Sequence, residues 1–269
     1  MSSDRPASGG EPAGDGRDDA ESSRASPPVR IAMWSGPRNI STAMMRSFEN
    51  RPDTVVWDEP LYAWFLTRTG IDHPMRQEVT ASHETNLDVV TRRAAHESLP
   101  AGKTVFYQKH MTHHLLPEAP RDWIDGLTNC FLIRDPRLML ASYVRKRARV
   151  TAADLGLAQQ TELFERERRR AGRVPPVVDS DDVLRDPGGT LGALCAAVRI
   201  PFTERMLSWP AGPRDTDGVW GEHWYDAVRA STGFAPWRRR DPELPEELEA
   251  IARECAPHYE RLREHRLSA

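Results

Sequence analysis

Val29-Arg30-Ile31-Ala32-Met33-Trp34-Ser35-Gly36-Pro37-Arg38-Asn39-Ile40-Ser41-Thr42 decides the fold. The first six residues are an apolar, partly β-branched run of buried-strand length, and Ser35-Gly36-Pro37 stops it. Beyond the stop, Ile40, Ala43, Met44, Ser47 and Phe48 recur at three- and four-residue spacing, which predicts a helix entered near Asn39. Strand, turn and helix in this order surround the turn with the free N–H groups and positive dipole end of a helix start. The Ser41 and Thr42 hydroxyls and the Arg38 charge join them, so the turn reads as a phosphate-binding loop. The ATP and GTP class closes such a loop with Gly-Lys-Ser/Thr, the lysine reaching the terminal phosphates and the hydroxyl holding magnesium. Here Ile40-Ser41-Thr42 stands in that place and the lysine is missing. A connection that only joins strand to helix is the other reading of these residues.

About a hundred residues on, Leu127-Thr128-Asn129-Cys130-Phe131-Leu132-Ile133 is a second strand-like run, and Pro136 opens a helix after Arg134-Asp135. Arg134 therefore ends a strand. In an open parallel sheet that edge binds ligands, on the same side as the Ser35 to Thr42 turn. Ser142, eight residues after Arg134, can face the same phosphate across the crevice. The two segments together suggest a nucleotide with charge at both ends.

Outward from these segments, strands are expected near 29–34, 54–57, 104–108, 128–133 and 177–179. Helices are expected near 40–49, 84–97, 137–149, 155–170, 188–198 and 245–264. This alternation predicts an α/β fold, a single domain with a central parallel β-sheet flanked by helices on both faces. Residues 1–28 carry no apolar side chain larger than alanine after Met1, and we expect a disordered tail there and the folded domain over 29–269. Pro210 to Arg240, rich in Gly, Pro and Trp, is expected to be irregular and packed across the site.

The 269 residues suffice for a sizeable core at 39% hydrophobic content, and the net charge of −3 comes from mixed signs, which argues against a nucleic-acid partner. No run of eighteen apolar residues and no signal-peptide pattern occurs, so neither a membrane span nor secretion is expected, and the cytoplasm is the default location. Cys130, Cys195 and Cys255 are odd in number and far apart, which reads as reduced core thiols. His110, His113 and His114 lie close in sequence, but no carboxylate stands at zinc-motif spacing, and no metal is expected.

Gly36-Pro37-Arg38-Asn39-Ile40-Ser41-Thr42 resembles the 5′-phosphosulfate loop of sulfotransferases, where Lys or Arg precedes Ser-Gly-Thr-Thr; Arg134 and Ser142 resemble that family's 3′-phosphate pair. Trp57-Asp58-Glu59-Pro60-Leu61-Tyr62 resembles the Glu-Pro element of bacterial carbohydrate-type members. Lys109-His110 through Leu115-Leu116-Pro117 resembles the segment carrying the catalytic histidine of cytosolic members. Asp181-Asp182-Val183-Leu184-Arg185-Asp186-Pro187 resembles the acidic-Asp-Leu-x-x-x-Pro helix. The likeness runs from about residue 30 to 240. Two departures stand out. Asn39-Ile40 replaces Ser-Gly, which restricts backbone approach, and the C-terminal Arg-Lys-Gly element has no clean counterpart, leaving Arg238-Arg239-Arg240 and Arg214 as candidates by charge and position.

The resemblance implies a P-loop-like sulfotransferase fold and the donor 3′-phosphoadenosine 5′-phosphosulfate (PAPS), with sulfuryl transfer to a hydroxyl or amine of a small-molecule acceptor and no metal. Gly36 to Thr42, Arg134 and Ser142 would bind the donor. Positioning and charge stabilisation supply most of the catalysis in such a transfer. Arg38 would stabilise the charge growing on the leaving oxygen, and either Glu59 or His110 would take the acceptor proton. Two other functions remain open on the residues alone, a non-catalytic nucleotide-binding or partner protein of the same fold, and an ATP-dependent kinase-like enzyme.

Overall fold

Five buried strands form the centre of the computed structural model, which describes Met1, residues 27–147 and residues 149–268. They are β1 (Val29–Ser35), β2 (Thr54–Asp58), β3 (Val105–Met111), β4 (Thr128–Ile133) and β5 (Val177–Asp179). Their order in the sheet is β2-β3-β1-β4-β5 with every pairing parallel. Because β1 is central and its neighbours come from later in the chain, the strand order switches direction at its C-terminal end, where a crevice opens.

Helices flank both faces. In chain order they are α1 (Ser41–Glu49), α2 (Tyr62–Thr69), α3 (Arg76–Ser82), α4 (Leu87–His96), α5 (Pro136–Tyr143) and α6 (Ala152–Leu155). After these come α7 (Leu157–Ala171), α8 (Ser180–Arg185), α9 (Pro187–Ala197), α10 (Gly221–Trp224), α11 (Asp226–Arg229) and α12 (Glu246–Arg263). Alternation along the strands divides the core in two. Ile31, Met33, Tyr107 and Leu132 pack with Met44 and Phe48 of α1 and with Leu191 and Leu194 of α9. Ala32, Trp34, Phe131 and Ile133 pack with side chains of α2, α5, α7 and α12. The fold is thus the expected single α/β domain with a parallel sheet covered on both sides.

All five strands lie where the sequence put them, and the helices differ in several places. The helix expected over 137–149 stops at Tyr143, and the chain turns before Thr151 and Asp154 start α6 with reciprocal capping bonds. The helix expected over 155–170 is α7, which starts two residues later because Gly156 adopts φ 68° between α6 and α7. Helices α2 and α3 were not anticipated, nor were the single turns α10 and α11 inside the 210–240 segment expected to be irregular; no side chain caps any of these four starts. Most of the 1–28 tail expectation falls on residues outside those described.

Candidate active site

Gly36 ends β1 beside α5 and α6: a β-carbon there would lie 2.5 Å from both the Leu155 carbonyl oxygen and Met139 Cε. The loop beyond it is bound to β4 from two sides. Asn39 Nδ2 donates to the Leu132 carbonyl at 2.9 Å, and Arg134 Nη1 donates to the Arg38 carbonyl at 2.6 Å. These bonds hold Arg38 and Ile40 at φ 60° and 64°, backbone that non-glycine residues seldom adopt. Ile40, the first flank of α1, offers no side-chain cap, so the helix start faces the loop with its own N–H groups.

One cavity of about 310 Å³ lies over this loop. Pro37, Arg38, Asn39, Ile40, Ser41, Thr42, Glu59, Arg134 and Ser142 all line it, so the structure brings together nearly every residue singled out from the sequence. Gly36 sits behind the loop as a spacer. Asp135 caps α5 through a 2.8 Å bond from the Arg137 N–H, which with Pro136 at the first turn fixes Arg134 at the strand end. Arg38 Nε donates to Ser142 Oγ at 3.0 Å, and Arg134 Nε is buried without a partner. Burial lowers both guanidinium pKa values, with neighbouring arginines acting in the same direction, so an anion between them is favoured. Arg240 also lines the cavity, whereas Arg214 bonds to the Pro210 carbonyl and lies near Glu49, outside it.

The two candidate bases part company. Strand register sets Asp58 of β2 opposite Lys109 of β3, and Trp34 of β1 opposite His110. Successive side chains point to opposite faces. Lys109 therefore reaches Asp58 Oδ1 at 2.8 Å and Glu59 Oε1 at 2.5 Å, while His110 stacks on Trp34 with ring centroids 4.4 Å apart and does not line the cavity. Burial, followed by the Lys109 charge, pulls the His110 pKa down to about 3. The histidines that do face the cavity are His73, His113 and His114. His113 and His114 are placed by the way the chain leaves β3 and were singled out in the sequence only as metal-ligand candidates, whereas His73 comes from the connection between α2 and α3 and carried no sequence signal.

Glu59 turns into the cavity at φ 41°, with its side chain 11% exposed. Burial raises its pKa, Lys109 opposes that shift and Asp58 adds to it. Burial alone would lower the Lys109 pKa, but Asp58 and Glu59 outweigh it and the ammonium stays charged. Its third bond goes to Tyr225 Oη at 2.7 Å, and that hydroxyl donates to Asp58 Oδ2 at 2.7 Å while accepting from Trp220 Nε1 at 3.0 Å. The Gly218 N–H also reaches Asp58. A buried network thus fixes the Glu59 carboxylate and joins it to the 210–240 segment, in which Trp224 of α10, Val228 of α11 and Phe234 line the cavity. Among the described residues, no group of three His, Cys, Asp or Glu is arranged to hold a metal, and no helix is long and apolar enough to cross a membrane.

Two Arabidopsis thaliana proteins, branched-chain-amino-acid aminotransferase-like protein 1 and protein 2, are 37% and 34% identical over 88% and 87% of the chain. The matched part is 42% and 41% of those proteins, so the chain spans about two fifths of their length and their name describes much longer molecules. Among solved structures, the sulfotransferase domain of the Synechococcus PCC 7002 olefin synthase has a TM-score of 0.51 at 16% identity, covering 86% of this chain and 95% of its own. That of the curacin biosynthetic pathway has a TM-score of 0.50 at 15%, covering 85% and 98%. Both have the same fold. The sulfotransferase domain family matches residues 29–265, nearly all of the described chain, and the protein belongs to that family.

Proposed function

We propose that the protein transfers a sulfuryl group from PAPS to a hydroxyl or amine of a small-molecule acceptor, and that residues 29–269 are the catalytic domain and 1–28 a tail. The observation that carries this reading is the meeting of Arg38, the uncapped start of α1, Arg134 with its unpartnered Nε, Ser142 and Glu59 on one cavity. Ser41, Thr42 and the loop N–H groups would hold the 5′-phosphosulfate, and Arg134, Ser142 and Arg240 the 3′-phosphate. The bond from sulfur to the bridging oxygen breaks as the bond to the acceptor oxygen or nitrogen forms. The electron pair goes to the bridging oxygen, which Arg38 stabilises, and the acceptor proton goes to Glu59, whose raised pKa suits that task. 3′-Phosphoadenosine 5′-phosphate leaves. No step requires a metal. Three buried free thiols fit a reducing compartment, and we place the protein in the cytoplasm.

A second reading, a non-catalytic nucleotide-binding or partner protein, draws on Ile40 standing at φ 64° where a glycine would be unstrained. Titration with 3′-phosphoadenosine 5′-phosphate in the absence of magnesium tests the donor site. We expect micromolar binding that Arg134→Ala weakens by about 1.5–3 kcal/mol, the range of a charge-assisted bond. Unchanged binding in the variant would remove the clamp, a response to ATP with magnesium alone would favour a kinase-like enzyme, and binding without transfer to any acceptor would favour the second reading.

A further inference from the structure

One wall of the cavity is built of rings that touch in series. Tyr62 stacks on His114 with centroids 4.6 Å apart and meets His73 at 5.6 Å, and His73 stacks on Trp224 at 5.6 Å. His113 lies 4.4 Å from His114, and Tyr143 lies 6.1 Å from Trp224. All six line the cavity. The wall runs from Glu59, whose Oε2 is 3.9 Å from His114 Nδ1, to Arg38, whose Nη1 donates to the Trp224 carbonyl at 3.5 Å. It therefore spans the distance between the groups assigned above to the acceptor proton and the leaving oxygen.

Two features define what this wall accepts. The first is hydrogen-bonding capacity without charge. Nδ1 of His113 and of His114 are buried with no partner, and buried orphans of this kind call for a ligand or water. Burial holds His73 and His113 at about 4 and His114 well below its ordinary value, so all three imidazoles are neutral near pH 7. The second is the sign of the fixed charge. Asp58 and Glu59 share the single ammonium of Lys109, leaving one net negative charge at the Glu59 end. Arg38 keeps its charge, since its bonds go to the Ser142 hydroxyl and the Trp224 carbonyl, and it stands at the donor end of the wall. The remaining cations lining the cavity, Arg134 and Arg240, belong to the donor end.

We propose that this wall is the acceptor subsite, and that it selects planar acceptors that are uncharged or carry an ammonium group while rejecting those that carry a carboxylate or phosphate. The proposal rests on the sulfuryl-transfer reading. A flat acceptor finds ring faces and neutral imidazoles, whereas an anionic one meets the net negative network and the donor's own phosphosulfate, with the cavity's free guanidinium groups already facing the donor.

Three probes of one skeleton test it on the full chain by calorimetry: tyrosol (neutral), tyramine (cationic) and 4-hydroxyphenylacetate (anionic), each with and without 3′-phosphoadenosine 5′-phosphate. Tyrosol and tyramine should bind at least about tenfold more tightly than 4-hydroxyphenylacetate. Glu59→Gln, which removes the net charge, should narrow that gap to about threefold or less. Equal or tighter binding of the anionic probe, an unchanged gap in the variant, or no millimolar binding of any probe would overturn the proposal. If the nucleotide itself fails to bind, the sulfuryl-transfer reading falls, while the change in the gap from wild type to Glu59→Gln, measured without nucleotide, still decides the charge selection because the donor-end arginines are common to both proteins.

Discussion

Glu59 reaches the cavity because its backbone leaves β2 at φ 41°, and Lys109 then fixes its carboxylate. Arg38 and Ile40 share that unusual φ sign on the same cavity. A residue held this way costs of order 1–3 kcal/mol, and such strain persists where the surroundings over-determine it. Here the surroundings are the bonds from Arg134 and Asn39 and the buried network under Glu59. If Glu59 is the base, Glu59→Gln should lower single-turnover sulfuryl transfer about 10²–10⁴-fold and leave nucleotide affinity unchanged. The glutamine oxygen still accepts from Lys109, so the fold should survive. His110→Asn should instead lower the melting temperature through loss of the stack on Trp34 while turnover persists. The opposite pattern, with turnover lost on replacing His110 and kept on replacing Glu59, would make His110 the base.

At the scale of elements, the loop is positioned by what Gly36 leaves out. A methyl group there would meet the Leu155 carbonyl, which is backbone and cannot swing aside. Gly36→Ala should therefore push β1 and its loop away from α6 and weaken binding of 3′-phosphoadenosine 5′-phosphate by at least about tenfold, the cost of displaced phosphate contacts; unchanged affinity would show that the loop adapts. The β1–loop–α1 unit was legible in the sequence because parallel strands read as unbroken apolar runs and the turn residues are distinctive. The same holds for β4 and its Arg134. Register was not legible. The pairing of Asp58 with Lys109 and of Trp34 with His110 requires knowing which residues of β2, β3 and β1 stand opposite, and that separates the cavity-facing Glu59 from the sequestered His110. Nor was α2 read, although it supplies Tyr62: its five buried residues, Tyr62 to Leu66, run consecutively and show no helical spacing.

At the scale of the whole molecule, the 210–240 segment with its short helices α10 and α11 completes a site that the sheet only begins. Arg46 of α1, buried beside the core, holds Asp217 with bonds of 2.6 and 2.7 Å, and the following Gly218 and Tyr225 reach Asp58. Breaking a buried pair of this kind typically costs 3–5 kcal/mol. The aromatic and imidazole packing around it has a consequence for acid stability. His73 and His113 titrate at about 4 and His110 at about 3, all depressed by burial from the ordinary 6.5, whereas in the unfolded chain they titrate normally. Between pH 6.5 and 4 the unfolded state binds more protons than the folded state, so stability is fully present above 6.5 and declines as pH falls. Each imidazole contributes a slope of up to about 1.4 kcal/mol per pH unit in that window. Glu59 and Asp179, shifted upward by burial, act in the opposite direction, but they are two groups against five, because burial also lowers His83 and His114. The melting temperature should therefore fall steeply from pH 6.5 to 4.5 and stay nearly level from 6.5 to 8. A profile flat through the acid range would mean that the imidazoles gain protons in the folded state, and the neutral wall along the cavity would have to be reassigned as cationic.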